Sequence, residues 1–330
     1  MILRFIHLLP KPSTPQPSQS SPKTHFKTLQ KPPTNPKNGV FTATDPPPSL
    51  TTDSGLLFRE KILYIKSLKI NPTKALQKNP NFRSTSLQTL KSVENCLNSM
   101  GIDRSEFGRI FDMYPQLLTS DPHADLYPIF DFLLTDVGLQ FYEIRKSILR
   151  CPRLLICSVE DQLKPTLWFL RKLGFVGHSR ITSQTTMLLV SNVKCTLMPK
   201  LDYLMGLGFE YEEVVNMVLR SPGLLTFSIE NNFKPKVEYF LSEMKGDLGD
   251  LKRFPQYFSY SLERKIVPRH RLLVDQGISV PLAEMLRVSD GEFTARLIEA
   301  REARFQLGET KLSKVQNAER VSLGSRRIGI

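Results

Sequence analysis

Cysteine and histidine are scarce in this sequence and are not arranged as metal ligands. Among 330 residues there are four cysteines, with no Cys-x-x-Cys pair, and five histidines, of which three lie beyond residue 50 and far from one another. Zinc sites need closely spaced sulfur and imidazole ligands, and disulfide frameworks need regularly spaced cysteines. The sequence therefore predicts no metal, no cofactor and no disulfides, and Cys96, Cys151 and Cys195, which lie next to apolar positions, are expected to act as small buried hydrophobic residues.

Long apolar runs and catalytic motifs are also missing. No uninterrupted apolar stretch approaches the roughly 18 residues of a membrane-spanning helix, so we expect no membrane span. The glycine-rich phosphate loops, the His-Glu-x-x-His zinc motif and the Gly-x-Ser-x-Gly nucleophile motif do not occur. We therefore expect a binding protein and not an enzyme.

Acidic residues are absent from the first 44 positions. Residues 1–50 hold 11 of the 24 prolines, many serines and threonines, and six basic residues against a single acid, Asp45. Such a segment cannot bury enough apolar surface to fold alone, and its composition is typical of an organelle transit peptide. We predict a disordered leader over residues 1–50 that directs the protein to the chloroplast (plastid stroma or nucleoid), with the mitochondrial matrix as the alternative.

Beyond the leader, prolines recur in pairs that are 13 residues apart. In the clearest copy, Pro152 is followed by Arg-Leu-Leu, and Gly174 closes the unit. One further copy has Thr186 in the first position, and a degenerate copy begins at Pro80. The first positions are 33 to 37 residues apart, which indicates a repeat of about 35 residues. The proline pairs are Pro115 with Pro128, Pro152 with Pro165, Pro222 with Pro235, and Pro255 with Pro268.

Each repeat is predicted to form two helices. The first helix stops at the first proline, because the residue before a proline is pushed out of the α region. A serine such as Ser158, or Ser191 and Ser120 in other copies, then caps a second helix that buries Leu163, and a glycine ends it. One helix pair cannot bury both apolar stripes, whereas stacked pairs can. The sequence therefore predicts an all-α fold, an α-solenoid or superhelix of helical repeats, over residues 60–300.

The linked Pro-x-Leu-Leu and Lys-Pro-x-x-x-Phe-Leu-x-x-Leu-Gly patterns, the latter complete from Lys164 to Gly174, resemble the mitochondrial transcription termination factor (mTERF) family, particularly its plant organellar members. The resemblance covers residues 60–300. It implies a superhelix of triangular helical repeats, nucleic-acid binding along a basic concave surface, and a role in organellar transcription termination, transcript maturation or ribosome-related RNA processing. Two features depart from the pattern: Thr186 replaces a proline, and the Met244–Gly249 segment lacks the Leu-Gly ending.

Positive charge is concentrated in the later repeats. The formal charge of the chain is +13, yet residues 101–144 carry two arginines against eight acids, whereas residues 145–272 carry 20 lysines and arginines against 12 acids. Because phosphate binding depends on cations, and equivalent positions of a repeat array line up in space, we expect a row of cations on the later repeats. The predicted nucleic-acid-binding residues are Arg150, Arg153, Lys164, Lys200, Arg220, Lys234, Lys236 and Arg269.

We therefore expect a nucleic-acid-binding regulator of plastid gene expression that acts in transcription termination or regulation or in transcript processing. Its expected ligand is double-stranded DNA, RNA or both, and we expect a monomer that also meets organellar transcription or RNA-processing proteins. The alternative is a protein-binding helical scaffold within an organellar gene-expression complex, because other helical arrays mostly bind proteins. Steep salt dependence of binding would favour nucleic acid.

Two further features bear on binding. Trp168, Tyr203 and Tyr239 lie in second helices, where packing in the core is the favoured interpretation and stacking on bases the alternative.

Residues 304–330 carry six basic residues against two acids, which predicts a flexible basic tail that adds non-specific affinity or is inert.

Overall fold

The computed structural model describes residues 54–302, and within that range the chain is helical without a strand. The all-α repeat fold predicted from the sequence is thereby confirmed. The leader, residues 1–50, and the basic tail, residues 304–330, lie outside the described residues. The described chain divides into unit 1, with residues 54–165 and 182–190, and unit 2, with residues 166–181 and 191–302.

Unit 1 is built from helices that alternate with short proline turns. Its α-helices are α1 (Ser54–Ser67), α2 (Pro72–Lys78), α3 (Leu87–Ser99), α4 (Arg104–Met113), α5 (Tyr127–Asp131) and α6 (Phe141–Arg150). Its 3-10 turns are Pro80–Arg83, Pro115–Thr119, Pro152–Ile156 and Thr186–Leu188, and its π-helical turns are Pro122–Leu126, Phe132–Asp136 and Val159–Leu163. The core of unit 1 contains the fully buried side chains of Phe82, Phe107, Phe111, Phe130 and Phe132.

Unit 2 repeats the same arrangement. Its α-helices are α7 (Lys164–Lys172, whose first two residues belong to unit 1), α8 (Met198–Gly206), α9 (Tyr211–Arg220), α10 (Lys234–Ser242), α11 (Leu248–Arg253), α12 (Val267–Asp275), α13 (Leu282–Arg287) and α14 (290–302). Its 3-10 turns are Gly177–Ser179, Pro222–Thr226 and Pro255–Ser259, and its π-helical turns are Val193–Leu197, Ile229–Phe233 and Leu262–Ile266. Its core includes packed aromatic rings, among them Phe233 and Phe258, which meet edge to face with ring centroids 4.9 Å apart.

The first proline of a repeat ends the first helix, as predicted. Helix α9 stops at Arg220 because Ser221, which precedes Pro222, has the non-helical dihedral angles φ −140° and ψ 76°. The turn Pro222–Thr226 then buries the two leucines of the Pro-x-Leu-Leu pattern, Leu224 and Leu225. Full burial of a leucine side chain stabilises the fold by about 1.5–3 kcal/mol, so these turns form part of the core.

The second helix of a repeat begins with a capped π-helical turn ahead of its second proline. Ser158 accepts a hydrogen bond from the Asp161 amide (3.1 Å), and the turn Val159–Leu163 leads into α7 with Pro165 at its second position. Because proline lacks an N–H and its ring collides with a carbonyl one turn back, the wider π turn accommodates it better than an α turn would.

The capping residue differs from the predicted one in two repeats. Asn192, and not Ser191, accepts the hydrogen bond from the Cys195 amide (2.8 Å). Asp121, and not Ser120, accepts one from the His123 amide (2.9 Å). The side chains of Asn and Asp cap helices as well as serine does. The capping residue is therefore the one that directly precedes the π-helical turn, whether or not it is a serine.

A left-handed residue ends the second helix. Gly174 and Gly208 have φ values of +107° and +105°, a backbone conformation that residues other than glycine rarely adopt. In the repeat that lacks the Leu-Gly ending, Lys245 takes the left-handed position with φ +52°. The departure from the sequence pattern therefore leaves the helix stop in place.

Candidate nucleic-acid interface

Three of the eight predicted cations are buried in unit 2. Lys200, Lys236 and Arg269 each follow the second proline of a repeat, and their residues are 8%, 6% and 4% exposed. Each lies three residues after the fully buried last residue of a π-helical turn (Leu197, Phe233 or Ile266), so helical spacing places it on the same inward face. The cations therefore extend through the core and not into solvent.

The buried cations hold carbonyl groups of the next repeat. The Lys200 ammonium donates to the Leu225 carbonyl (2.5 Å), and the Lys236 ammonium donates to the Phe258 carbonyl (2.6 Å). Leu225 and Phe258 are each the third residue after a first proline, so the two contacts are equivalent. A buried carbonyl without a donor costs free energy, and these ammonium groups prevent that cost.

Arg269 makes a related contact at the end of the array. Its guanidinium donates to the carbonyls of Met285 (2.6 Å) and Val288 (3.1 Å) and pairs with the Asp290 carboxylate (2.5 Å). A phosphate could reach Lys200, Lys236 or Arg269 only if such contacts opened. Their assignment as nucleic-acid ligands stays a prediction, and the structure gives them a role in joining repeats.

Burial lowers the pKa of the two buried lysines. It lowers the pKa of Lys200, and it lowers the pKa of Lys236 to about 8, because an ammonium loses its hydration inside the protein. In unit 1, burial likewise lowers the pKa of Lys61, which donates to the carbonyls of Arg83 (2.6 Å) and Thr85 (2.7 Å). Lys61 was not identified from the sequence, because no proline directly precedes it as one precedes Lys200 and Lys236.

Lys164 and Lys234, which precede the second proline, remain exposed. Each forms an ion pair with a glutamate four residues earlier, Lys164 with Glu160 (2.5 Å) and Lys234 with Glu230 (2.6 Å). Exposed pairs of this kind contribute little to stability, so both ammonium groups could exchange partners with a phosphate.

The surroundings of Lys164 are more acidic. The hydrogen bond from its ammonium to Glu160 raises the pKa of Lys164, and the carboxylates of Glu160, Asp136 and Asp131 raise it further. Lys164 lies in unit 1, and Asp131 and Asp136 belong to the acidic stretch of residues 101–144. Its positive charge is therefore balanced locally.

Arg150 and Arg153 lie on the surface of unit 1 around the end of α6. Arg150 is the last residue of α6, and its guanidinium donates to the Gln184 carbonyl at 3.5 Å. Arg153 lies exposed on the turn Pro152–Ile156, and among the described residues its side chain has neither an ion pair nor a hydrogen bond. Unit 1 therefore presents two exposed arginines close together in the sequence.

Unit 2 carries arginines at the last position of three first helices. Arg220 ends α9, and its guanidinium donates to the carbonyls of Lys252 and Arg253 (3.4 Å to the latter) at the end of α11. Arg287 ends α13 and lies with its guanidinium 4.9 Å from the ring centroid of Phe254, the neighbour of Arg253. We call Arg220, Arg253 and Arg287 the arginine row.

The arginine row was identified only in part from the sequence. Arg220 was among the predicted residues, whereas Arg253 and Arg287 were not. Arg253 precedes Pro255 by two residues just as Arg220 precedes Pro222, so the signal was present. No proline follows Arg287 at that distance, so its equivalence appears only in the structure.

The aromatic residues of the second helices contact other side chains of the chain. Tyr203 stacks on Phe233 with ring centroids 5.7 Å apart, and the Tyr239 hydroxyl lies 2.8 Å from Nδ1 of His270. The Lys172 ammonium lies over Trp168, 5.6 Å from the ring centroid. These contacts support the packing interpretation over base stacking.

Residues 54–302 contain neither a metal-binding cluster nor a membrane-spanning helix. Among residues 54–302, no group of three His, Cys, Asp or Glu side chains is placed to hold a metal ion. Within that range, no helix combines the length and the hydrophobicity that crossing a bilayer requires.

Stacked helix pairs, punctuated by proline turns and carrying cations at one recurring position, define a helical-repeat protein. The mTERF family model matches the chain over residues 57–173 and again over residues 133–294. The chain therefore belongs to the mTERF family.

Curated relatives are plant organellar proteins. The chain is 32% identical over 180 residues to "Transcription termination factor MTERF2, chloroplastic" of Arabidopsis thaliana, covering 54% of this chain and 22% of that protein. It is 36% identical over 108 residues to "Transcription termination factor MTERF4, chloroplastic" of the same plant, covering 33% of this chain and 20% of the relative. A weaker match, 23% over 177 residues, is "Transcription termination factor MTERF15, mitochondrial", covering 54% of this chain and 39% of the relative.

The matched segments span about a fifth of the first two relatives. The better matches are chloroplastic and a weaker one is mitochondrial. They support the chloroplast location predicted from the leader, with the mitochondrion as the alternative.

Proposed function

We propose that this chain binds nucleic acid in the chloroplast and regulates gene expression there, in transcription termination or regulation or in transcript processing. The proposed ligand is double-stranded DNA, RNA or both. The observation that carries the proposal is the arginine row of unit 2, and the names of the relatives, transcription termination factors, support it.

The row suits a polyanion because its members recur at one position of successive repeats. A guanidinium offers five N–H donors in a planar fork that matches the oxygens of a phosphate. The bonds of Arg220 to the end of α11 fix its side chain at the surface without burying it, which lowers the entropy lost on binding. Among residues 54–302, Arg253 pairs with Asp250 alone, on its own helix, and its side chain remains 73% exposed.

Each unit also carries further exposed cations of its own. Lys234 adds a replaceable ammonium to unit 2, and Arg150 and Arg153 add two guanidinium groups to unit 1. Lys164 is expected to add less, because carboxylates already balance its charge. We therefore assign the largest share of phosphate contacts to unit 2.

The test compares two triple variants with equal loss of charge. Arg220→Gln, Arg253→Gln and Arg287→Gln together remove the row, and Lys194→Gln, Arg264→Gln and Arg296→Gln together remove three exposed cations of unit 2 outside the row. Affinity for a short DNA duplex and for an RNA hairpin is measured across a salt series, with circular dichroism as a check on folding.

We expect removal of the row to weaken binding at least about 10-fold and to lower the salt slope by about 3, since each phosphate contact contributes roughly one. The control variant should lose much less. Equal losses of affinity in both variants would show that the overall positive charge of unit 2, and not the arginine row, determines binding. An affinity that does not depend on salt would favour the protein-binding scaffold.

A further inference from the structure

Helix α1 presents two leucines on the side that faces away from the core of unit 1. Its inward side carries Lys61 and Ile65, which are 7% and 0% exposed, whereas Leu56 and Leu63 are 63% and 57% exposed. The two leucines are seven residues apart, about two helical turns, so they lie on one face of α1. They form an apolar stripe that nothing in the described part of the chain covers.

Cations accompany this stripe. Arg59 and Lys66 follow the two leucines by three residues, so each lies beside its leucine on the helix surface, and Lys69 comes just after the end of α1. All three residues are exposed, and within residues 54–302 their side chains form neither an ion pair nor a hydrogen bond. Glu60 is the single acid in the sequence of α1. We call Leu56, Arg59, Leu63, Lys66 and Lys69 the α1 surface.

The chain around α1 is strongly basic. Residues 54–91 carry eight lysines and arginines against one acid, whereas residues 101–144 carry two arginines against eight acids. Lys78, Arg83 and Lys91 of the basic stretch are exposed as well. The first part of unit 1 is therefore complementary to an anionic partner.

Exposed leucines and unpaired cations on one helix fit an anionic bilayer better than a nucleic acid. A nucleic-acid backbone would bind the cations but would leave the two leucines in water. At a bilayer, leucines enter the outer acyl region while the long side chains of lysine and arginine reach the lipid phosphates. A bilayer therefore accounts for both halves of the pattern.

We propose that the α1 surface docks unit 1 on a lipid bilayer that contains anionic headgroups. Helix α1, about 21 Å long at 1.5 Å per residue, lies in the plane of the membrane. Leu56 and Leu63 insert below the headgroups, and Arg59, Lys66 and Lys69 bind the headgroup phosphates. This role goes beyond nucleic-acid binding, and neither proposal depends on the other, because the arginine row belongs to unit 2.

The experiment measures cosedimentation of the full chain, without nucleic acid, with two kinds of vesicle. One kind contains phosphatidylcholine and phosphatidylglycerol in equal parts, and the other contains phosphatidylcholine alone. We expect binding to the mixed vesicles that weakens as salt rises, and much weaker binding to the neutral ones. The basic leader is common to all variants, so it cannot account for a difference between them.

The apolar half of the surface is tested by serine substitutions. Leu56→Ser and Leu63→Ser together should weaken binding to the mixed vesicles at least about 5-fold, because fewer CH₂ groups enter the acyl region. Leu241→Ser and Leu272→Ser together are the matched control, since these leucines of unit 2 are also exposed, at 41% and 44%. The control should bind as the parent does, and circular dichroism checks that both variants fold.

The charged half is tested in the same way. Arg59→Gln, Lys66→Gln and Lys69→Gln together should weaken binding to the mixed vesicles at least about 10-fold. The triple control variant of unit 2 used for the arginine row loses the same charge and should lose much less affinity.

A tryptophan reports directly on insertion. With Leu63→Trp, we expect the fluorescence to shift to the blue on mixed vesicles and to be quenched by lipids brominated in the acyl chain. Val274→Trp, at a position of unit 2 that is 60% exposed, should show neither change beyond the background from Trp168 in the parent.

Three results would overturn the proposal. The first is equal binding of the parent to neutral and mixed vesicles, and the second is vesicle binding that the serine variant of α1 retains in full. The third is a parent that ignores vesicles while its charge variant loses duplex affinity, which would assign the cations to nucleic acid. Dissociation of a dimer by the serine variant, seen by light scattering without vesicle binding by the parent, would likewise overturn it and assign the stripe to a second copy of the chain.

Discussion

The ammonium of Lys236 donates a 2.6 Å hydrogen bond to the carbonyl oxygen of Phe258, 22 residues away in the next repeat. Phe258 is fully buried, and its ring packs against Phe233 in the repeat that carries Lys236. One residue therefore satisfies a buried carbonyl and fixes the position of a core aromatic residue. The stacking of repeats in unit 2 depends on polar contacts as well as on apolar burial.

Replacing Lys236 by methionine should destabilise the protein by about 1.5–3 kcal/mol. Methionine keeps most of the volume but leaves the Phe258 carbonyl without its donor, and a buried carbonyl without a partner is costly. Lys234→Met, two residues away and exposed, is the control and should change stability by less than about 1 kcal/mol. Urea unfolding followed by circular dichroism measures both, and equal effects would contradict the role assigned to Lys236.

Stability should depend on pH through the same lysine. Its pKa is about 8 in the folded protein and about 10.5 when it is unfolded, so between these values the unfolded chain binds more protons. The free energy of unfolding contributed by Lys236 therefore rises with pH across this window and is constant below it. We expect the stability difference between the parent and Lys236→Met to grow from about pH 7.5 to about pH 9.5. A difference that stays flat would show that the lysine titrates normally.

Two glycines of unit 2 should respond oppositely to alanine. Gly174 has φ +107°, and an added Cβ would lie 3.0 Å from Cδ1 of Leu219, so Gly174→Ala should destabilise by about 1–3 kcal/mol. Gly206 ends α8 with open space around the position of a Cβ, so Gly206→Ala should be neutral or stabilising by up to about 1 kcal/mol. Thermal unfolding of both variants checks the sign of each change.

Two lysines at the same position of their repeats should differ in nucleic-acid binding. Lys234→Gln should lower the salt slope by about 1 and weaken binding of a short duplex, because within the described part of the chain its ammonium is paired only with the exposed Glu230. Lys164→Gln should have little effect, because Glu160, Asp136 and Asp131 already surround its ammonium. A larger loss from Lys164→Gln would shift the proposed contact surface toward unit 1.

The repeat architecture could be predicted from the sequence because local rules determine it. Proline fixes where a first helix stops, as at Ser221-Pro222, and the apolar stripe beginning at Leu163 marks the buried face of a second helix. These signals recur in several copies, so an error in one copy, such as the cap at Asn192, does not alter the fold.

The burial of Lys200 and Lys236 could not be predicted so directly. Helical spacing places both on the inward face, but a lysine is rarely buried without a partner, and exposure was the natural expectation. The partner carbonyls lie 25 and 22 residues further along the chain. Only the packing of one repeat against the next shows that a carbonyl meets each ammonium.

Since Lys236 reaches forward to Phe258, the boundary of a repeat in the sequence is not a boundary of cooperative structure. A fragment cut at Phe254 would keep the donor, lose its acceptor and leave a desolvated ammonium at its new end. Shorter versions of this chain should therefore extend through the turn Pro255–Ser259, so that each retained cation keeps the backbone that it binds.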